Sequence, residues 1–114
     1  MSKGYSLKNV NELSGGDDEF TAVLVQTFLE EIPPDLDSMV QAVDSDNPQM
    51  AYQYAHKMKP NLQLFDIDLL SQIKQIEAWS KTNKAKEQIK PVLDDIVTTV
   101  NNAIENLKAD FASS

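Results

Sequence analysis

Apolar residues recur along the chain at spacings of three and four positions, which is the period of one face of an α-helix. No stretch alternates polar and apolar residues over the length of a β-strand. The first long apolar stripe contains Phe20, Val23, Leu24, Phe28, Ile32, Leu36, Met39, Val40 and Val43. The pattern therefore predicts an all-α protein.

Turn and capping residues divide this pattern into separate helices. Gly15 and Gly16 break the chain just before Asp17, which opens an acidic run that favours a helix start. The residues from Asp44 to Asn47 predict a turn and cap, and Pro48 after them suits a first helical position. We expect a short helix over residues 7–13, and longer helices over about 17–43, 48–64, 66–80 and from the break at 81–83 to about 111.

Prolines fall inside two of the long predicted helices. Pro33 and Pro34 each remove an amide donor, so the helix that contains them should kink or restart there. Pro91 either kinks the last helix or marks its first turn.

The two C-terminal helices each carry a continuous apolar side. The first of them presents Leu69, Leu70, Ile73, Ile76 and Trp79. The last one has a heptad-like seam of Ile89, Leu93, Ile96, Val100, Ala103 and Leu107. Four amphipathic helices with short connections predict an antiparallel four-helix bundle with a short additional N-terminal helix. We expect one domain over residues 1–114.

The charge of the chain narrows the class of partner. The 114 residues carry a net charge of −8, so general attraction to nucleic acid or to an anionic membrane is not expected. All basic residues are lysines, and those of residues 57–90 form the one basic zone, which begins directly after the single histidine. No cysteine, signal peptide or membrane-spanning run is present. We therefore expect a cytoplasmic monomer without disulfides.

Most catalytic constellations are missing from the sequence. The chain has no glycine-rich phosphate loop, and with one histidine and no cysteine it offers no transition-metal ligand set. A metal-dependent helical enzyme is thus the weakest of the readings that we consider. We expect no ATP site, no metal bound by this chain and no independent catalytic activity.

His56 is the exception, because helical geometry gives its direction. At about 100° per residue, Ala51, Ala55, Met58, Leu62 and Phe65 fall within about 40° of one line, the predicted core side of the helix. His56 lies about 140° from that line and therefore points to solvent. An exposed histidine is by itself usually a surface residue, yet near pH 7 its neutral ring has a free lone pair that can attack phosphorus.

The neighbours of His56 on the same helix follow from the same geometry. Lys59 lies one turn further on, where its ammonium can reach a phosphoryl oxygen, whereas Lys57 diverges to another side. Tyr52, Pro60 and Gln63 lie near His56 in projection, about 20° to 40° away. We expect these three residues to contact a docked partner.

The segment from Ala55 to Ile67, AHKMKPNLQLFDI, resembles the signature of the histidine-containing phosphotransfer (HPt) domains. The family pattern is Ala-His-x-Leu-Lys-Gly, with a second glycine ten residues after the histidine. The upstream segment FLEEIP, residues 28–33, resembles the second helix of the family, so that the resemblance extends over nearly the whole chain.

The resemblance implies a function in a multistep, two-component phosphorelay. His56 would accept a phosphoryl group from the aspartyl phosphate of one receiver domain and pass it to another. Lys59 would be the lysine near the phosphate, and Met58 would replace the usual leucine. The implied partners are response-regulator receiver domains or a hybrid histidine kinase, and the receiver would supply Mg²⁺.

Two positions depart from the family pattern. Pro60 stands where the family has glycine, and its ring should bend the helix and change the docking geometry. Asp66 replaces the second glycine, and we expect it to cap the following helix. Because of Pro60, a helical interaction module that binds partners without phosphotransfer remains the alternative function.

Overall fold

The computed structural model describes residues 4–111, and all of their regular structure is helical. Five α-helices follow one another along the chain, and no strand occurs within the described residues. They are α1 (Lys8–Ser14), α2 (Asp18–Asp44), α3 (Pro48–Leu64), α4 (Leu70–Ala78) and α5 (Lys86–Phe111), with a 3₁₀ turn at Trp79–Lys81. The prediction of an all-α protein is confirmed.

Side-chain caps fix the starts of α2 and α3 where the sequence predicts them. The Asp17 carboxylate accepts hydrogen bonds from the backbone amides of Glu19 and Phe20, at 2.9 and 3.3 Å. The Asn47 side-chain oxygen accepts from the amide of Met50 at 3.2 Å, and Pro48 takes the first turn of α3. Each cap satisfies amides that have no partner within the helix.

The internal prolines do not end their helices. α2 runs unbroken through Pro33 and Pro34, so of the two expected outcomes, a kink or a restart, the restart does not occur. Pro91 lies inside α5, which starts at Lys86, so of the two alternatives it does not mark the first turn. An internal proline costs about 3 kcal/mol in a helix, but burial of the neighbouring apolar stripe offsets that cost. Ile32, next to the proline pair, is completely buried.

α4 begins at Leu70, four residues later than predicted, because residues 65–67 form the C-terminal turn of α3. The amide of Ile67 donates to the Leu62 carbonyl at 2.9 Å, and that of Asp66 donates to the Gln63 carbonyl at 3.0 Å. This bond pair places Asp66 in the left-handed region, with φ of 55°. The expectation that Asp66 caps the next helix is therefore wrong.

The core lies between α2, α3, α4 and α5. α2 and α4 each contact both α3 and α5, while α1 contacts α2. The predicted seam of α5 is buried along its whole length. Phe20, Val23 and Leu70 are exposed, contrary to expectation. For the two residues of α2 the reason is that its buried line starts instead with Thr21 and Val25. None of the helices in residues 4–111 has the length and apolar character needed to cross a membrane.

The two ends of the described chain meet at one end of the molecule. The Tyr5 hydroxyl donates a hydrogen bond to the Asp110 carboxylate in α5. Burial, together with this carboxylate, raises the pKa of Tyr5 to about 12. The neighbouring Ser6 amide donates to the carbonyl of Phe65 at 2.8 Å, so the segment before α1 is tied to α3 as well as to α5.

Candidate functional site

His56 lies in the third turn of α3, on the side of the helix that faces away from the core. Its side chain is 62% exposed. Ala55 and Met58, its neighbours along the chain, are fully buried on the opposite side. The direction predicted from helical geometry is confirmed, and the imidazole is accessible to a partner.

Glu77 of α4 links His56 to Lys59. Its carboxylate lies 3.2 Å from His56 Nδ1, and both of its oxygens lie 3.1 Å from Lys59 Nζ. The Glu77 side chain is only 13% exposed, and that of Lys59 is 26% exposed. The three groups form one cluster across the α3–α4 interface, in which the ammonium offsets the carboxylate charge.

The Glu77 carboxylate determines which nitrogen of His56 is available. An ionised carboxylate only accepts hydrogen bonds, so the bond to His56 requires a proton on Nδ1. In the neutral ring the lone pair then lies on Nε2. No side chain among residues 4–111 forms a hydrogen bond with that nitrogen. His56 thus presents a free nucleophilic nitrogen on an exposed helix face.

Tyr52, one turn before His56, stacks on the imidazole. The ring centroids lie 5.7 Å apart and the two planes differ by 5°. Tyr52 is itself exposed. Its ring lies parallel to the imidazole, while Glu77 contacts the ring at Nδ1. These two contacts restrict the rotation of the His56 side chain.

Lys57 and Lys59 diverge as predicted. The Lys57 ammonium contacts Oδ1 of Asp35 in α2 at 3.1 Å, on a different side of α3 from the cluster. Asp35 is a buried carboxylate, and its hydrogen bond and charge raise the pKa of Lys57. The two lysines are alike in sequence, but only Lys59 lies beside His56.

Pro60 and Gln63 are both exposed next to the cluster. α3 continues through Pro60 to Leu64. Because proline has no amide hydrogen, the carbonyl of His56, four residues earlier, lacks its usual helical donor. The Gln63 carbonyl accepts a hydrogen bond from the Asn9 side chain at 3.2 Å, which holds α1 against this end of α3.

Glu77 is the site residue that the sequence did not reveal. It is one of four acidic residues within the basic zone, and nothing in its local pattern sets it apart. Its position becomes meaningful only when α4 packs against α3. Among residues 4–111 no three histidine or carboxylate side chains come together as metal ligands. The cluster around His56 contains one carboxylate, which is already paired with an ammonium.

Comparison of the chain with protein-family models, with curated proteins and with solved structures gave no match. Any assignment of function must therefore be carried by the geometry around His56. The signature-like segment of α3 contributes the histidine, the lysine and the turn at Asp66 to that geometry, and α4 contributes Glu77.

Proposed function

We propose that this chain is a histidine phosphotransfer protein of a multistep phosphorelay. His56 accepts a phosphoryl group from the aspartyl phosphate of a receiver domain and passes it to the aspartate of another receiver. The observation that carries the proposal is the exposed imidazole whose Nδ1 is held by Glu77, which leaves Nε2 free to attack phosphorus. The contact with Glu77, a largely buried carboxylate of another helix, distinguishes His56 from a histidine that is surrounded only by solvent.

The transfer step balances without a further reactant. The Nε2 lone pair forms a bond to phosphorus while the bond from phosphorus to the aspartyl oxygen breaks, and the carboxylate of the receiver leaves. Nδ1 keeps its proton, and the positive charge that develops on the ring is stabilised by the Glu77 carboxylate. The reverse step returns the phosphoryl group to a second receiver.

Lys59 is the candidate for stabilising the phosphoryl oxygens. Its ammonium lies next to the imidazole through their common contact with Glu77, and its side chain is partly exposed. The transition state of phosphoryl transfer carries negative charge on the equatorial oxygens, which a nearby ammonium stabilises. The receiver supplies Mg²⁺ and the acidic residues that bind it, because this site offers only the carboxylate that Lys59 already neutralises.

The proposed architecture is the antiparallel four-helix bundle of a single HPt-like domain over residues 1–114. The closed set of contacts among α2, α3, α4 and α5 supports this arrangement, with α1 as the additional N-terminal helix. In this proposal the protein is a cytoplasmic monomer and a relay substrate rather than an enzyme. Its partners are receiver domains or a hybrid histidine kinase.

A module that binds partners without phosphotransfer is the second candidate function. The observation in its favour is Pro60, whose ring occupies the helix face next to His56 where the family pattern has glycine. Transfer from one receiver to the wild type and to Pro60→Gly separates the two functions. We expect the substitution to change an existing rate, whereas an inactive wild type beside an active variant would favour the binding module.

The decisive experiment is incubation of the chain with a ³²P-labelled receiver domain and Mg²⁺. We expect label that is lost in acid and retained in alkali, as for a phosphoramidate, and no label on His56→Gln. The exposed position of His56 predicts that the variant stays folded, with a change in stability of about 0.5 kcal/mol or less. Label on a folded His56→Gln variant would refute the assignment.

Glu77→Gln tests the positioning of the imidazole. The amide keeps the size of the side chain but has no charge to stabilise a positive ring, so we expect acceptance to slow by about tenfold or more. ¹⁵N NMR of the ring should show a loss of the Nδ1-protonated tautomer. Glu105→Gln, at an exposed site on α5, is the control. Equal tautomer populations in Glu77→Gln and the wild type would contradict this role.

A further inference from the structure

A groove lies next to the His56 cluster, between the C-terminal end of α3 and the start of α4. Its volume is about 380 Å³. The buried side chains of Leu62, Leu69 and Ile73 form its floor. Leu70, at the first position of α4, stands at the groove with 39% of its surface exposed. The groove is therefore apolar in its depth and has an accessible leucine at its edge.

Asp66 and Asp68 give the rim of this groove a negative charge. Both side chains line the groove and are exposed. Neither carboxylate forms a hydrogen bond or an ion pair with any side chain in residues 4–111. Lys59 also lines the groove, but its charge is offset by Glu77. The rim thus keeps two uncompensated negative charges beside an apolar floor.

The groove is continuous with the candidate phosphotransfer site. Lys59 belongs both to the cluster around His56 and to the groove lining. Gln63, one turn further along α3, also lines it. A protein surface that covers His56 therefore extends naturally over the groove. A bound partner would bury Leu70 and place its own groups against the two aspartates.

We propose that this groove is a docking site for a protein partner that inserts an apolar side chain flanked by lysine or arginine. The apolar side chain contacts Leu70 and the groove floor, and the basic groups pair with Asp66 and Asp68. The naming of that partner as a receiver domain rests on the proposed function. In that case the groove selects among receivers, while His56 performs the transfer.

Electrostatics favours a basic partner over the other possible occupants. A free anion is repelled by the two aspartates, and a second copy of this chain brings a net charge of −8 to a negative rim. A basic, partly apolar surface is attracted over a distance of about a Debye length and then buries Leu70. Lys74 lies one turn along α4 from Leu70 and lines a neighbouring groove.

Two synthetic helical peptides test the groove without knowledge of the natural partner. Both carry a central leucine, which is flanked one turn to either side by lysine in one peptide and by glutamate in the other. With ¹⁵N-labelled protein, we expect only the lysine peptide to shift the amide resonances of residues 62–73. These shifts should become smaller at high salt. Equal shifts with both peptides, shifts elsewhere or no shifts at all would overturn the proposal.

Charge-neutral variants connect the binding to the two aspartates. Asp66→Asn with Asp68→Asn keeps the side-chain shapes, and asparagine tolerates the left-handed backbone at residue 66. We expect this double variant to bind the lysine peptide about two- to thirtyfold more weakly at low salt. Asp94→Asn with Glu105→Gln on α5 makes the same change in net charge and should bind as the wild type does. Equal weakening by both double variants would refute a specific rim.

A small phosphodonor separates failure of the groove from failure of the phosphotransfer function. With phosphoramidate, the donor P–N bond breaks, ammonia leaves and the phosphoryl group moves to His56 without a docked protein. We expect the Asp66/Asp68 double variant to be labelled by phosphoramidate at the wild-type rate but to show a raised KM for a phosphorylated receiver. Peptide binding without any labelling of His56 refutes the phosphotransfer function alone. If phosphoramidate labels the double variant at the wild-type rate and the KM for the phosphorylated receiver is unchanged, the groove proposal alone is refuted.

Discussion

Lys57 and Lys59 show how two identical residues acquire different surroundings within one turn of a helix. Lys59 contacts Glu77 in α4, next to His56, and Lys57 contacts the buried Asp35 in α2. The first contact lies in the candidate site, and the second holds a carboxylate that has little access to water. We therefore expect one lysine to affect phosphotransfer and the other to affect stability.

Lys59→Ala should slow acceptance of the phosphoryl group by about ten- to a hundredfold. This range corresponds to the loss of about 1.4 to 3 kcal/mol of a charge-assisted contact in the transition state. Lys57→Ala should slow acceptance severalfold at most, and that loss should shrink as salt rises. Single-turnover transfer at low and high ionic strength measures both effects. Equal rates for the two variants would show that Lys59 does not contact the phosphoryl group.

Lys57→Ala should lower the melting temperature, because it leaves the Asp35 carboxylate buried without a partner. The Asp35 contact raises the folded-state pKa of Lys57 above its ordinary value of 10.5. The stabilisation is therefore fully present below pH 10.5 and is lost as the pH rises through the folded-state pKa. The melting temperatures of the wild type and of Lys57→Ala, measured from pH 7 to strongly alkaline pH, should converge at the highest pH. A constant difference would contradict the ion pair.

At the scale of the element, α3 combines the site with a local defect in its hydrogen bonding. Pro60 cannot donate to the His56 carbonyl, yet the helix continues to Leu64 because Met58 and Leu62 are buried on its inner side. The turn that follows the helix contains Asp66, whose φ of 55° is a conformation that glycine adopts without strain. The backbone at residue 66 therefore suits a glycine or an asparagine as well as the aspartate that stands there.

Pro60→Ala should raise the free energy of unfolding by about 1 to 2 kcal/mol, because alanine supplies the missing amide. The unfolded chain becomes more flexible without the proline ring, and this offsets part of the gain. Pro48→Ala is the matched control in the same helix. Pro48 occupies the first turn, where a backbone amide has no helical partner. The stability of the Pro48→Ala variant should therefore equal that of the wild type or be slightly lower. Urea denaturation measures both variants. Equal gains for the two would contradict the defect at His56.

At the scale of the whole molecule, stability depends on the core that the long helices share. Leu93 of α5 is 4% exposed and lies in the buried seam, whereas Leu13 of α1 is 59% exposed. The segment before α1 is held to this core by the contacts of Tyr5 with α5 and of Ser6 with the residue that follows α3. His56, Lys59 and Glu77 all lie at the surface of this core, where α3 meets α4.

Leu93→Ala should lower the free energy of unfolding by about 2 to 5 kcal/mol, through the loss of buried methyl groups and the cavity left behind. Leu13→Ala should change it by about 0.5 kcal/mol or less, because that side chain is already in contact with water. Denaturant unfolding followed by circular dichroism provides both values. Similar losses in the two variants would show that the α5 seam is not part of the core.

Local patterns in the sequence were sufficient for the helical class, the caps at Asp17 and Asn47 and the outward direction of His56. Each depends on residues within one or two helical turns, so that periodicity and capping chemistry suffice. The phosphotransfer role of His56 and Lys59 stays a prediction, because neither periodicity nor this geometry measures transfer. The same local patterns left open whether the prolines of α2 and α5 interrupt their helices, because they do not include the burial that keeps those helices intact.

The tertiary structure decided what surrounds His56. Glu77 lies 21 residues further along the chain, and it reaches Nδ1 only because α4 starts at Leu70 and packs against α3. The groove beside Lys59 likewise depends on the left-handed turn at Asp66. Contacts between helices depend on their relative rotation and starting residues, which many side chains determine together and no single segment encodes. The sequence therefore specified the direction of the histidine, and the packing of α4 supplied its partner.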